Sequence, residues 1–286
     1  MIRRALVLGA GGHAASAWEM GLANGMAEAG VDVRSAELLV GTSAGARVAV
    51  QLASGLPLEE LFRRQIDPRI QPPESPPGVD WKEWRSAITR AKEGGGGTKE
   101  VLRRIGLLAL TATKGSESER RRFMASQLPV HAWPEKKILI AAVELESGER
   151  CAFDRNSGID LVDAVMASSA VAGIWPAVTF RGRRYIDGGF YSTDNTDLAA
   201  GFDRVLIAAL RSGVPPLSVV SLASGVEMLH TAGARVEIVH PDEATEAAFA
   251  AVGGNLLDPS VCVPAAQAGR AQGRRIVEER VAVFWA

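Results

Sequence analysis

The stretch LLVGTSAGARVAV, Leu38 to Val50, changes character at its centre. Leu38 to Val40 is a short apolar run of the kind that forms a buried parallel strand. The glycine-flanked "GTSAG", Gly41 to Gly45, cuts it off. Ala44 to Ser54 is small and apolar, as a buried helix would be, and Gly55 and Pro57 end it. The same change occurs upstream. Ala5 to Leu8 is apolar and stops at Gly9, and Ala14 to Ala29 suits a helix that Gly30 is placed to cap. Strand, helix, strand, helix in that order predicts a parallel sheet with helices on its faces.

Working outward, the middle of the chain is different. Pro68 to Gly78 is proline-rich and predicted irregular. Trp81 to Glu93 is amphipathic, Gly94 to Gly97 is a break, and Lys99 to Leu110 and Glu117 to Leu128 read as two further helices. Residues 57–129 are therefore predicted to form a helical insertion over the sheet, within a single domain spanning 1–286. Lys137 to Val143 resumes the sheet, and Arg150 to Phe153 completes a hairpin across "ESGER". Leu161 to Ser169 should be a helix, and "VTFRGRRYIDGGF" two short strands around Gly182 that end at Asp187. Arg204 to Ala209 and Arg235 to Val239 are later strands, and Ala265 to Arg280 a closing helix.

The totals narrow the function. A net charge of −1 on 286 residues gives no basic surplus for a nucleic-acid partner. Cys151 and Cys262 cannot make a disulfide framework, and with four scattered histidines no metal site suggests itself. The apolar run after Arg3 and Arg4 is too short for a signal-peptide core or a bilayer span, so a cytosolic protein is expected, with contact at a membrane surface left open. The oligomeric state is not readable.

Two glycine-rich turns carry the chemistry. "GTSAG" matches G-x-S-x-G, in which a serine sits at a strained strand-to-helix turn and needs small residues two before and two after it. The following helix aims free N–H groups and its dipole at that serine, Ser43, which favours an oxyanion forming there. The earlier turn, Gly9-Ala10-Gly11-Gly12-His13-Ala14, also satisfies the dinucleotide fingerprint, with Asp32 about twenty positions on. A nucleotide-binding oxidoreductase is thus a rival reading, but it leaves "GTSAG" and "DGG" unexplained. A serine nucleophile needs a base. His240 would complete a Ser43, Asp187, His240 order, although its plainer reading is a strand-end residue before Pro241. Asp187 in "YIDGGF" is the other candidate: a carboxylate ending an apolar strand before Gly188 and Gly189, whose burial would raise its proton affinity.

In combination these motifs resemble the patatin-like phospholipases. "GAGGHAAS", "GTSAG" and "DGG" stand in that family's order, and the flanks "AWEMGLANGMAEAGVD", "DAVMASSAVAGIWPAV" and "RRYIDGGFYSTDNTDLAAGFDRVLI" look like its bacterial branch. The resemblance implies a three-layer α/β/α sandwich with a mostly parallel central sheet and a Ser43–Asp187 dyad at the carboxyl ends of its strands. It implies a serine acyl-ester hydrolase acting on lipid or other esters through an acyl-enzyme, with the amides of Gly11 and Gly12 as oxyanion hole and Gly9, Gly41, Gly45, Gly188 and Gly189 as supports. It implies neither cofactor nor metal. The chain departs from the family at Ala10 and Ala15, where glycines are usual, at Ala14, where a basic residue is common, and at Ala172, where proline is common; His13 adds bulk to the loop. Alanine is unfavourable there only where φ must be positive, and a member that binds acyl groups without turnover is the second alternative.

Plainer roles are expected elsewhere. Asp194 and Asp197 read as helix caps or Asx-turns, Trp81 and Trp84 as packing of the insertion, Arg120 to Arg122 as a solvated helix face, and Trp285 as docked on the body.

Overall fold

Strand β1 (Arg4–Leu8) is buried at every position after its first, as a strand covered on both faces requires. The computed structural model describes residues 2–71, 74, 78–110, 115–210 and 218–286. After β1 come α1 (Gly12–Glu28), β2 (Leu38–Thr42), α2 (Ala44–Leu52), α3 (Leu58–Ile66), α4 (Trp81–Glu93), α5 (Thr98–Ala109) and α6 (Glu117–Gln127). Then follow β3 (Lys137–Glu144), β4 (Arg150–Phe153), α7 (Leu161–Ser168), β5 (Val178–Phe180), β6 (Arg183–Asp187), β7 (Arg204–Ala208), α8 (Leu222–Thr231), β8 (Arg235–Val239), α9 (Glu243–Ala251) and α10 (Cys262–Ile276).

The strands form one mixed sheet, linked by hydrogen bonds as β5-β6-β3-β2-β1-β7-β8, in which β2 and β6 share one edge of β3 and β4 takes the other. The pairs β1–β2, β1–β7, β2–β3 and β7–β8 are parallel; β4 and β6 meet β3, and β5 meets β6, in antiparallel fashion. Side-chain alternation along β1 sorts the two faces. Leu6 and Leu8 join the core beneath α1, α2, α7 and α10, whereas Ala5 and Val7 join a second core that includes Leu229 of α8. Helices therefore cover both faces of the sheet, the α/β/α layering implied by the sequence.

The register on β3 decides where the ends of β2 and β6 meet. Ala141 pairs with both Thr42 of β2 and Ala152 of β4, so β2 and β4 lie on opposite edges. Ala142 pairs with both Cys151 of β4 and Asp187 of β6, so β6 lies on the same edge as β2. β2 runs along that edge up to Thr42, and β6, arriving from the other direction, ends at the next position.

Most strand and helix predictions match within a few residues, including both hairpins. Helices α3, α8 and α9 are not singled out by the sequence pattern. Each is short, and α8 and α9 owe their starts to side-chain caps, with Ser221 accepting from the Ser224 amide and Asp242 from the Thr245 amide. The closing helix starts at Cys262, widens into a π turn at Val277–Val281 and ends in one more α turn at Ala282–Trp285. The proline-rich prediction for 68–78 falls partly outside the described residues. Trp84 is buried against Ile88, Ile105 and Ile186, with its indole N–H donating to the Ala172 carbonyl at 2.9 Å. Trp285 docks as expected, its indole donating to Ser35 Oγ at 3.0 Å.

Helix α1 carries the glycine loop on its N-terminus, and α10 holds it in place by backbone-to-backbone packing. A Cβ added at Gly25 would lie 2.0 Å from the Arg270 carbonyl oxygen, and one at Gly273 would lie 2.3 Å from that of Leu22. In an open helix Gly25→Ala would gain about 1 kcal/mol of propensity. Here the collision reverses the sign, and urea unfolding should show Gly25→Ala destabilised by about 1–3 kcal/mol. A stabilised variant would contradict this packing.

Candidate active site

Ser43 sits between the end of β2 and the start of α2 with φ 54° and ψ −111°. For a residue with a Cβ that conformation costs on the order of 1–3 kcal/mol, so its surroundings must impose it. The end of α7 does so. The Ser43 amide donates to Ser168 Oγ at 2.8 Å, Ser168 donates to the Ala141 carbonyl at 2.6 Å, and Ser169 Oγ donates to the Ser43 carbonyl at 3.3 Å. The flanking glycines are sterically required, as the motif predicts. A Cβ at Gly45 would lie 2.1 Å from the Leu8 carbonyl oxygen, and one at Gly41 would lie 2.5 Å from Ala46 Cα.

The glycine loop is stitched to its neighbours at both ends. Gly9 donates to the Ala208 carbonyl at 3.1 Å, Ala10 to that of Thr193 at 2.8 Å and Ala14 to that of Leu256 at 3.2 Å, while the Gly9 carbonyl accepts from Gly45 at 3.0 Å. Among the described residues the amides of Gly11 and Gly12 have no hydrogen-bond partner. Gly12 has φ +61°, and a Cβ there would lie 2.6 Å from the Leu256 carbonyl. Ala10 and Ala15 are not among the positive-φ residues, so the two alanines in place of glycines carry no backbone strain. A Cβ on Gly189 would come within 3.2 Å of Ala10 Cβ, so the glycine loop and the DGG turn touch.

Asp187 ends β6 beside Ser43 and is only 5% exposed. Burial pushes its carboxyl up to about 7; the Gly189 amide, a hydrogen bond from Ser43 and the charge of Arg120 pull in the opposite direction. The Gly189 amide donates at 2.7 Å. The structure thus brings Ser43, Asp187 and the glycine loop together, while His240 stands apart. It follows β8, the far edge strand, and its Nδ1 lies 2.7 Å from the Ala209 carbonyl.

Three sequence expectations need correction. Arg120 is not on a solvated face: it is buried, its Cζ lies 4.1 Å from the centre of the Trp175 ring, it pairs with Glu74, and burial lowers its pKa to about 9. Its neighbours Arg121, paired with Asp163 at 2.6 Å, and Arg122 do lie at the surface. Asp194 caps nothing. It is buried, accepts from Thr193 Oγ1 at 2.7 Å, has Oδ1 without a partner, and is pushed up to about 6 by burial. Asp197 is a fork-to-fork partner of Arg150, at 2.5 and 2.6 Å, rather than a cap. Asp32, the acidic residue of the dinucleotide pattern, is taken up by Arg34, whose Nη2 donates at 2.6 Å. Among the described residues, no group of three or more His, Cys, Asp and Glu is placed to hold a metal, and no helix is long and apolar enough to cross a membrane.

The family model for patatin-like phospholipases matches residues 6–200, which include the glycine loop, the elbow and the DGG turn. The chain belongs to that family. Among solved structures, VipD from Legionella pneumophila overlaps it with a TM-score of 0.50 at 13% identity, covering 97% of this chain and 67% of VipD. ExoU of Pseudomonas aeruginosa, solved with SpcU, overlaps at 0.36 and 15% identity, over 98% of this chain and 60% of ExoU, too weakly to argue from. A comparison with curated protein sequences gives no significant match. For a patatin-like chain the hydrolysis of lipid esters is the activity the family supports.

Asp187 makes the stability of this patatin-like protein depend on pH. Burial pushes its carboxyl from the ordinary 3.8 of a free side chain up to about 7 in the folded protein. The folded state therefore holds the proton longer, and the stability this contributes at acid pH is lost as pH rises through 7, with a ceiling of about 4 kcal/mol. Asp187→Asn should unfold at higher urea than wild type at pH 8, with the gap closing toward pH 4. A gap independent of pH would contradict the burial of a titrating carboxyl.

Proposed function

We propose that the protein is a serine acyl-ester hydrolase of lipid or related esters, using Ser43 and Asp187 as a dyad. The observation that carries this reading is the meeting of β2 and β6 end to end on one edge of β3, which sets a strained serine against a desolvated carboxyl. Ser43 Oγ attacks the ester carbonyl carbon while its proton passes to Asp187. The negative oxygen of the tetrahedral intermediate is held by the amides of Gly11 and Gly12 and by the N-terminal end of α2. Asp187 then gives its proton to the departing alcohol, leaving an acyl-enzyme. Water, activated by the same carboxylate, releases the acid.

A carboxylate titrating near neutral pH suits this double duty, because a base and acid in turn works best when its pKa lies close to the working pH. Arg120 keeps Asp187 from rising further and so keeps it able to accept a proton at pH 7. Residues 57–129, which carry α3 to α6 and supply Arg120, are read as an insertion over the sheet within one domain. The ordinary φ at Ala10 and Ala15 and the unpartnered amides of Gly11 and Gly12 favour a working oxyanion hole over an inert acyl-binding relative. The hole needs no metal or cofactor in this scheme. Contact with a lipid surface fits the substrate class, and the reading includes no nucleic-acid partner.

Hydrolysis of a short p-nitrophenyl ester tests the reading. Ser43→Ala and Asp187→Asn should each lower kcat by roughly a thousandfold or more. Full activity in either variant overturns the dyad. The wild-type kcat/KM should rise with pH through about 7, as Asp187 loses its proton. Arg120→Gln should move that rise to higher pH, because it removes a charge that favours the carboxylate.

A further inference from the structure

A cavity of about 240 Å³ lies among residues of α1, α2, α3 and the start of α10, and Ser43 and Asp187 do not line it. Its walls include Arg47 of α2, Arg64 of α3, His13 of α1 and a set of glutamines. Arg47 is 7% exposed, and among the described residues its guanidinium has one hydrogen bond, Nη2 to Ser16 Oγ at 2.8 Å. No carboxylate lies within 4.0 Å of it among the described residues, and the residues outside the description include no Asp or Glu. Glu19, an acid whose charge acts on Arg47, is fully buried, and desolvation pushes its carboxyl well above the usual carboxylate range. Arg64 adds a second cation, 3.9 Å from Glu60, with its buried Nε lacking a partner.

A guanidinium keeps its charge at any ordinary pH, and a buried charge without a counter-charge is strongly destabilising. Water in the cavity could satisfy hydrogen bonds but could not neutralise Arg47. Polar walls are fixed around them. Gln71 Nε2 donates to Gln127 Oε1 at 2.8 Å and Gln51 Nε2 to the Gln127 carbonyl at 3.1 Å, while Gln71 Oε1 is buried without a partner. The cavity is smaller than the 300–1,000 Å³ usual for drug-sized ligands, which suits a compact group. A guanidinium fork matches the spread oxygens of a phosphoryl group, and two arginines line this cavity.

We propose that this cavity, built around Arg47 and Arg64, is an anion-binding site for a phosphoryl group. That group could be a free phosphate or the phosphodiester of a lipid headgroup; the recognition chemistry is the same. The site does not depend on the hydrolase reading, and binding is measured without turnover, so failure of one leaves the other standing.

Calorimetric titration of the whole chain, at fixed ionic strength in a phosphate-free buffer, tests it with two probes: inorganic phosphate and sn-glycero-3-phosphocholine, the deacylated headgroup. Wild type should bind at least one of them saturably. Tighter binding of the phosphodiester assigns the site to a headgroup, and tighter binding of phosphate assigns it to the free ion. Arg47→Gln and Arg64→Gln should each weaken binding by about tenfold or more, as loss of a charged hydrogen bond implies. The exposed Arg122→Gln should leave it unchanged. If Arg47→Gln does not fold, Arg64→Gln, with its partly exposed side chain, decides alone. No saturable binding of either probe, or binding that survives the cavity variants, overturns the proposal.

Discussion

One edge of β3 carries two strands, and the arrangement of Ser43 and Asp187 depends on that edge. β2 occupies it as far as Thr42, opposite Ala141, and β6 occupies the next position with Asp187, opposite Ala142. Because the strands approach from opposite directions, the last residue of one meets the turn after the other. Two residues 144 positions apart in the chain are brought together by backbone ladders, which are far stiffer than a side-chain contact on loops. The glycines follow from the same constraint. Gly45 lets the elbow pass the Leu8 carbonyl, and Gly188, where a Cβ would lie 2.4 Å from the Ala141 carbonyl, lets the chain leave β6 close against β3.

Electrostatics builds on this geometry. Burial alone would hold Asp187 protonated, and the Gly189 amide, Ser43 and Arg120 counter it so that the carboxyl titrates near neutrality. Arg120 is itself buried, and it is steadied by Glu74 and by the faces of Trp175 and Phe123. Strain at Ser43 is offset by the three hydrogen bonds through Ser168 and Ser169. The proposed dyad is thus costly in isolation and is held by residues from α6 and α7 that never belong to a motif.

This explains what could be read in advance. The elbow, the glycine loop and the DGG turn are local: each needs small residues at fixed spacing, so each leaves a mark in the sequence. The strand and helix order follows from apolar periodicity, and with it the layered fold. The sharing of the β3 edge is a non-local pairing and leaves no such mark. Arg120 stands in a run of three arginines, and which of them turns inward depends on where α6 packs. Ser168 and Ser169 end an apolar helix, where serines are common for ordinary reasons, so their grip on the elbow was not legible. Asp194 and Asp197 were misread because short polar residues near glycines usually form turns, whereas here one is desolvated under the glycine loop and the other is claimed by Arg150.

The central claim is that Ser43 is an activated nucleophile because Asp187 is set beside it. Reaction with a fluorophosphonate probe, followed by mass spectrometry of the peptides, measures this without assuming any substrate. The account predicts a single adduct on Ser43, absent in Ser43→Ala and formed far more slowly in Asp187→Asn. An unlabelled Ser43 in the folded wild type, or labelling that Asp187→Asn leaves unchanged, would contradict it.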